Sequence, residues 1–274
     1  MKIAVLLFGH LRTFEYCAPY LKKNLLDKYD CDVFIHTWDE TDSRTKSWRN
    51  KETVPCVLDK NIKQKLVDIY EPKGIQIETQ PLRQEVLIHS LIDDKSTSLN
   101  GCHFMFDSMS KANALRKKYE RKHSCSYDIV LVTRPDVALY ADPQLEKTLD
   151  EARILNLDID KCRFFSGLYG DSKTNCRLIL SRVSDIFFFA KGGTIDRYIG
   201  SNLNISEKYA SNHFLNICSI YASNEIASGI MPVEICFALE KDWKNVVVIP
   251  QKMSVERRKS KLYKLMHFYW LRKK

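Results

Sequence analysis

The chain has 274 residues, 45% of them hydrophobic, which supplies a core for one large domain or two small ones and excludes a wholly disordered chain. Its formal net charge is +9, but residues 252–274 hold nine Lys or Arg against the single acid Glu256 and so carry +8, leaving +1 for residues 1–251. The body is balanced, so the basic character of the chain is no argument that the body binds nucleic acid.

In chain order, the first predicted element is Lys2–Phe8, a continuous apolar run stopped by Gly9-His10. Such a run suits a central parallel strand covered on both faces, and it is too short for a signal-peptide core or a membrane span. A helix is predicted over Ala18–Tyr29, where Leu21, Leu25 and Tyr29 recur every four residues, followed by a strand over Asp32–Thr37. A second helix over Lys60–Tyr70, ended by Pro72, precedes a short strand at Ile75–Thr79, and a long helix is expected over Met105–Lys122. The strand Tyr127–Thr133 then breaks at Arg134-Pro135-Asp136, because proline lacks an amide donor and restricts the residue before it.

The later half is less regular. Asp185–Ala190 and Asn245–Ile249 read as strands, Gly192-Gly193 as a turn, and residues 206–229 as helical or mixed. The alternation of strands and helices predicts an α/β fold, Rossmann-like, with a mainly parallel central sheet flanked by helices and ligand contacts at the carboxyl ends of its strands. Residues 1–251 are expected to form one domain, with 1–140 as a nucleotide-binding half and 141–251 as an acceptor half, and 252–274 to form a separate basic tail. Nine cysteines form no C-x-x-C pair, and several lie in apolar runs, so reduced core thiols in a reducing cytosol are expected.

Three strand ends carry residues suited to chemistry. In Gly9-His10-Leu11-Arg12-Thr13, glycine permits close backbone approach and Arg12 can grip a pyrophosphate; the competing reading is a strand-ending turn with a solvated arginine. The run lacks both the dinucleotide glycine fingerprint and the P-loop pattern. In His36-Thr37-Trp38-Asp39, Trp38 can stack on a base and Thr37 or Asp39 can bind a ribose hydroxyl, while a tryptophan packed as a cap on the sheet is the alternative. In Thr133-Arg134-Pro135-Asp136, the carboxylate can hold Mg²⁺ or Mn²⁺ against a diphosphate, Arg134 can neutralise the diphosphate directly, or the two residues merely pair in a turn. His103, His123 and His213 have no metal-like spacing, and no G-x-S-x-G nucleophile motif is present.

The opening Lys2–Phe14, the phrase Asp32–Trp38, the helical Phe106-Asp107-Ser108-Met109, and Tyr127–Val130 leading to Arg134-Pro135-Asp136 together resemble a group of bacterial polysaccharide-locus proteins similar to GT-A-fold glycosyltransferases. The likeness extends to Ser184–Ala190 and Pro232-Val233-Glu234, and so spans most of residues 1–250. It implies a nucleotide-sugar donor held by Gly9, His10, Arg12, Thr37, Trp38, Arg134 and Asp136. GT-A enzymes carry Asp-x-Asp where this chain has Arg134-Pro135-Asp136, so only Asp136 carries over as a metal ligand. Mg²⁺ or Mn²⁺ therefore stays open beside a cationic substitute.

For glycosyl transfer, Asp185 and Glu234 are the candidates for acceptor binding or general base, each an acid bordering an apolar element; a strand cap and a helix first turn are the alternatives. The expected acceptor is a lipid-linked or growing capsule or lipopolysaccharide glycan. In the tail, Leu262, Leu265, Met266 and Tyr269 form an apolar stripe among basic residues, followed by Phe268-Tyr269-Trp270. That pattern predicts a basic amphipathic helix lying on an anionic membrane surface, hence a cytoplasmic protein peripheral to the inner face of the cell membrane, with no nucleic-acid partner. The rivals are another nucleotide-dependent transferase acting on polysaccharide, by sugar-phosphate or methyl transfer, and a non-enzymatic basic-tailed protein binding nucleic acid or membrane.

Overall fold

The computed structural model describes residues 1–42, 56–82, 87–89, 96–98, 100–139, 142–154, 156, 158–165, 187–200, 227–230 and 237–239. Strand β1 (Lys2–Phe8) is followed by α1 (Phe14–Leu21), which runs into a π-helical turn at Lys22–Leu26, and then by β2 (Asp30–Trp38). The first helix thus starts four residues earlier than its sequence reading and ends before Tyr29. Its buried stripe begins at Phe14 and continues through Cys17, Ala18 and Leu21 to Leu25, and Phe14 was the position that extended it.

Next come α2 (Ile62–Tyr70), β3 (Gly74–Glu78) and a small antiparallel pair, β4 (Leu87–His89) with β5 (Ser96–Ser98). Helix α2 stops at Glu71, whose φ of 45° is a left-handed cap placed directly before Pro72. Helix α3 (Asn100–His123) is longer at its start than predicted and carries the cations Arg121 and Lys122 in its last turn, where they suit the negative end of a helix. Strand β6 (Ile129–Thr133), β7 (Val137–Leu139), α4 (Leu145–Ile154), β8 (Cys162–Phe165), β9 (Phe187–Ala190), α5 (Gly192–Gly200), β10 (Ala227–Ile230) and β11 (Phe237–Leu239) complete the described elements.

Seven strands form one sheet in the order β10-β8-β9-β6-β1-β2-β3. Strands β6, β1, β2 and β3 are mutually parallel, as are β8 and β10, and β9 runs antiparallel to both of its neighbours. The fold is therefore α/β with a mixed, mostly parallel sheet. Strand β1, between β6 and β2, is apolar from Ile3 to Phe8 because both faces are covered: Ile3, Val5 and Leu7 pack with residues of α1, α2 and α4, and Ala4, Leu6 and Phe8 with residues of α3 and α5.

Gly192-Gly193 is corrected from a turn to the start of α5. A side chain at Gly192 would bring a Cβ to 3.2 Å from Arg116 Nη1, so the missing side chain makes room for a buried arginine. Arg116 in turn joins α3 to α5 through Asp196 at 2.6 Å, with Asn113 and Glu120 at 2.9 Å. Of the segment read as helical or mixed over 206–229, residues 227–229 belong to β10 and the remainder lies outside the described residues, as do the 245–249 strand and the 252–274 tail.

Candidate functional site

The strand order reverses at β1: the chain moves from β1 to β2 and β3 on one side, then returns through α3 to β6 on the other. In an open α/β sheet, the crevice outside the carboxyl ends at such a switch is where ligands bind. The parallel register pairs Leu7 with Thr133, so the turns after β1 and β6 leave the sheet side by side. Those turns carry Gly9 to Thr13 and Arg134 to Asp136.

Gly9 has φ of +90°, a conformation that side chains rarely adopt, and nothing lies within 4 Å of where its Cβ would be. Arg12 also takes a left-handed conformation, with φ of 44°, although it is no glycine. Its guanidinium holds two carboxylates: Nε and Nη2 donate to Asp42 Oδ1 at 3.1 and 2.6 Å, and Nη1 donates to Asp136 Oδ2 at 3.2 Å. Burial opposes the charge on Arg12, but the attraction of Asp136 and Asp42 outweighs it and raises the pKa above the ordinary arginine value.

Asp136 is fully buried. Arg134 Nε donates to its Oδ1 at 2.8 Å, and Arg134 Nη2 donates to Oδ2, the same oxygen that Arg12 reaches. One carboxylate thus holds two guanidinium groups from two turns. The structure brings together Gly9, Arg12, Arg134 and Asp136 and adds Asp42, which the sequence reading missed; the acidic run Asp39-Glu40-Thr41-Asp42 after the second strand was its only signal.

A metal ion fits this arrangement poorly. Both oxygens of Asp136 are taken by cations, and a hard divalent ion that keeps several waters needs room at a carboxylate with no solvent exposure. Freeing Asp136 for a metal would also strip two arginines of a shared counter-charge.

His10 is buried beside Arg12, with its Nδ1 3.1 Å from the Glu40 carbonyl oxygen, which accepts the hydrogen bond. Loss of water around the ring, reinforced by the Arg12 charge, lowers its pKa to about 4 against the pull of that hydrogen bond. His10 is therefore neutral at pH 7, a hydrogen-bonding group and not a cation for phosphate.

Beneath the first turn runs a chain of polar groups that the sequence did not disclose. Ser108, in the middle of α3, accepts the Gly9 amide proton at 2.7 Å, and its hydroxyl is hydrogen-bonded with His36 Nδ1, also at 2.7 Å, and lies 3.3 Å from the His36 carbonyl oxygen. Burial lowers the His36 pKa. His36 Nε2 lies 3.3 Å from Glu78 Oε1 without the orientation of a hydrogen bond, and Glu78 is bound by Lys111 and by Gln76 at 2.7 Å. The phrase Phe106-Asp107-Ser108-Met109 contained Ser108, but nothing in it pointed at Gly9.

Thr37 and Trp38 are placed differently from the first turn. Thr37 is fully buried and its hydroxyl donates to the Trp38 carbonyl at 3.2 Å. Trp38 is 1% exposed, with its ring edge-to-face against His36 and Phe104 and Lys111 Nζ 4.9 Å from its centre. A nucleotide base could stack on it only by displacing one of these neighbours. Asp185 and Glu234 lie outside the described residues. No protein-family model matches the chain, and no curated protein matches it either.

Proposed function

We propose that the protein is a GT-A-like glycosyltransferase that moves a sugar from a nucleoside diphosphate donor to a capsule or lipopolysaccharide glycan acceptor. The observation that carries the reading is the meeting of Arg12, Arg134 and Asp136 at the switch between β1 and β6, the end of the sheet where such folds hold nucleotides. The mostly parallel sheet, the Gly9 turn and the resemblance in sequence support it.

In this reading the acceptor hydroxyl attacks the anomeric carbon of the donor sugar, the bond from that carbon to the phosphate oxygen breaks, and a nucleoside diphosphate leaves. Arg12 and Arg134 stabilise the negative charge that develops on the leaving phosphate. The acceptor proton passes to a carboxylate, for which Asp185 and Glu234 are the candidates. The division into a nucleotide half over 1–140 and an acceptor half over 141–251 belongs to the same proposal, as does attachment of the 252–274 tail to an anionic membrane on its cytoplasmic face. Among the described residues, no helix is long and apolar enough to cross a membrane.

The test is a melting-temperature screen of the full chain against UDP, GDP, CDP, CMP and S-adenosylmethionine, since only a ligand that prefers the native state raises stability. A shift with UDP, GDP or CDP supports sugar transfer. A shift with S-adenosylmethionine alone replaces it by methyl transfer, and no shift with any nucleotide removes it.

A further inference from the structure

We infer that the anion site at the β1–β6 switch works without a divalent cation: Asp136 is a positioning residue that sets Arg12 and Arg134 side by side, and Asp42 is a built-in competitor that an incoming diphosphate displaces. The inference rests on the donor reading above and deepens it by naming what neutralises the diphosphate.

Three observations carry it. Asp136 is fully buried with both oxygens engaged by guanidinium groups, so it is spent as a counter-charge before any ligand arrives. Arg12 uses three N–H groups on Asp42 and Asp136, and a guanidinium has five, so two remain for an anion. Its backbone sits in the left-handed region, a strained state for arginine that persists where the surroundings hold it, as two carboxylates do here.

The two carboxylates differ in the way that displacement requires. The Asp42 side chain is 31% exposed and that of Asp136 is 0% exposed. A phosphate oxygen can replace the accessible partner while the buried one keeps both arginines in place. Displacing Asp42 takes one negative charge off Arg12 while Asp136 stays, and so makes the site one charge more positive toward a diphosphate.

A metal-based site makes the opposite demand on the same residues, because Asp42 and Asp136 would then both be ligands and loss of either would weaken binding. The experiment measures binding of UDP, GDP, CDP and inorganic pyrophosphate to the full-length protein by titration calorimetry, in EDTA and again with Mn²⁺. The expected result is the same affinity in both buffers, about tenfold tighter binding in Asp42→Asn and about tenfold weaker binding in Asp136→Asn, the size of one charge-assisted hydrogen bond gained or lost. Arg12→Lys, which keeps the charge and loses the fork, gives the weakening independently if Asp136→Asn does not fold.

Binding that appears only with Mn²⁺ and weakens in both Asp variants overturns the inference and leaves the donor reading intact. Pyrophosphate binding in EDTA with no nucleotide bound in either buffer removes the donor reading and leaves the metal-free anion site. Absence of all binding in EDTA, pyrophosphate included, overturns the inference.

Discussion

Arg12 and Asp136 are 124 residues apart in the chain and 3.2 Å apart in the structure, and their contact closes the turn after β1 onto the turn after β6. Asp136 is also the partner of Arg134, so truncating it leaves two largely buried guanidinium groups facing one another. We expect Asp136→Ala to lose about 3–5 kcal/mol in urea unfolding, the cost of breaking a buried pair from one side. Asp136→Asn, which keeps the shape and one of the two acceptor oxygens, is expected to lose less than the Ala variant. Any effect of the Ala variant on the proposed sugar transfer therefore needs correction for the fraction folded.

Gly9 offers a clean backbone test. A Cβ there meets nothing within 4 Å, so Gly9→Ala adds no clash and its cost comes from φ of +90° alone. The expected destabilisation is about 1–2 kcal/mol by denaturant unfolding, with the slope against urea unchanged.

Ser108→Ala removes the acceptor of the part-buried Gly9 amide and the hydroxyl partner of the buried His36 ring in one step. A loss of about 1–3 kcal/mol is expected. Amide hydrogen exchange gives the specific readout: the Gly9 amide should exchange faster in the variant, while the core of β1 at Val5 and Leu6 changes only by the global loss.

The His10 pKa gives a signed pH dependence. With a folded value of about 4 and an unfolded value of 6.5, the unfolded chain binds more protons between those limits, so stability rises with pH across them. The contribution is complete above pH 6.5 and is lost as pH falls toward 4, in total about 3 kcal/mol. His10→Gln lacks it. Unfolding free energies at pH 7, 5.5 and 4.5 should fall more steeply in the wild type than in the variant, and His36, shifted in the same direction, is present in both and cancels.

Much of the scaffold was legible because local pattern dictated it. The unbroken apolar run of β1, the strand before Arg134 and the long helix α3 each follow from periodicity over a single stretch. What was illegible depends on distant partners. The run Phe187-Phe188-Phe189 says strand and says nothing of direction, which is settled by pairing with Val132 and Thr133. Gly192-Gly193 signals a turn in isolation, but Arg116 from another helix occupies the space that a side chain would need.

The site divides along the same line. Arg12, Arg134 and Asp136 were singled out from their positions after predicted strands, and a parallel register was enough to bring them together. Trp38 had the residue type for stacking on a base, yet the ring is enclosed by His36 and Phe104, a fact of packing that no local pattern encodes. Ser108 was visible only as a mid-helix serine, since its contact with His36 spans 72 residues.

The reversed course of β9 has a consequence for how the crevice could be remodelled. Because Phe187 pairs with Thr133, the backbone arrives at β9 beside the rim from which β1 and β6 depart. The stretches after β1, β2 and β6 therefore leave the sheet at that rim, and one enters it there. Insertions or exchanges at any of these stretches would reshape the entrance without cutting an interstrand bond, which makes this border the natural place to graft a different ligand preference onto an unchanged scaffold.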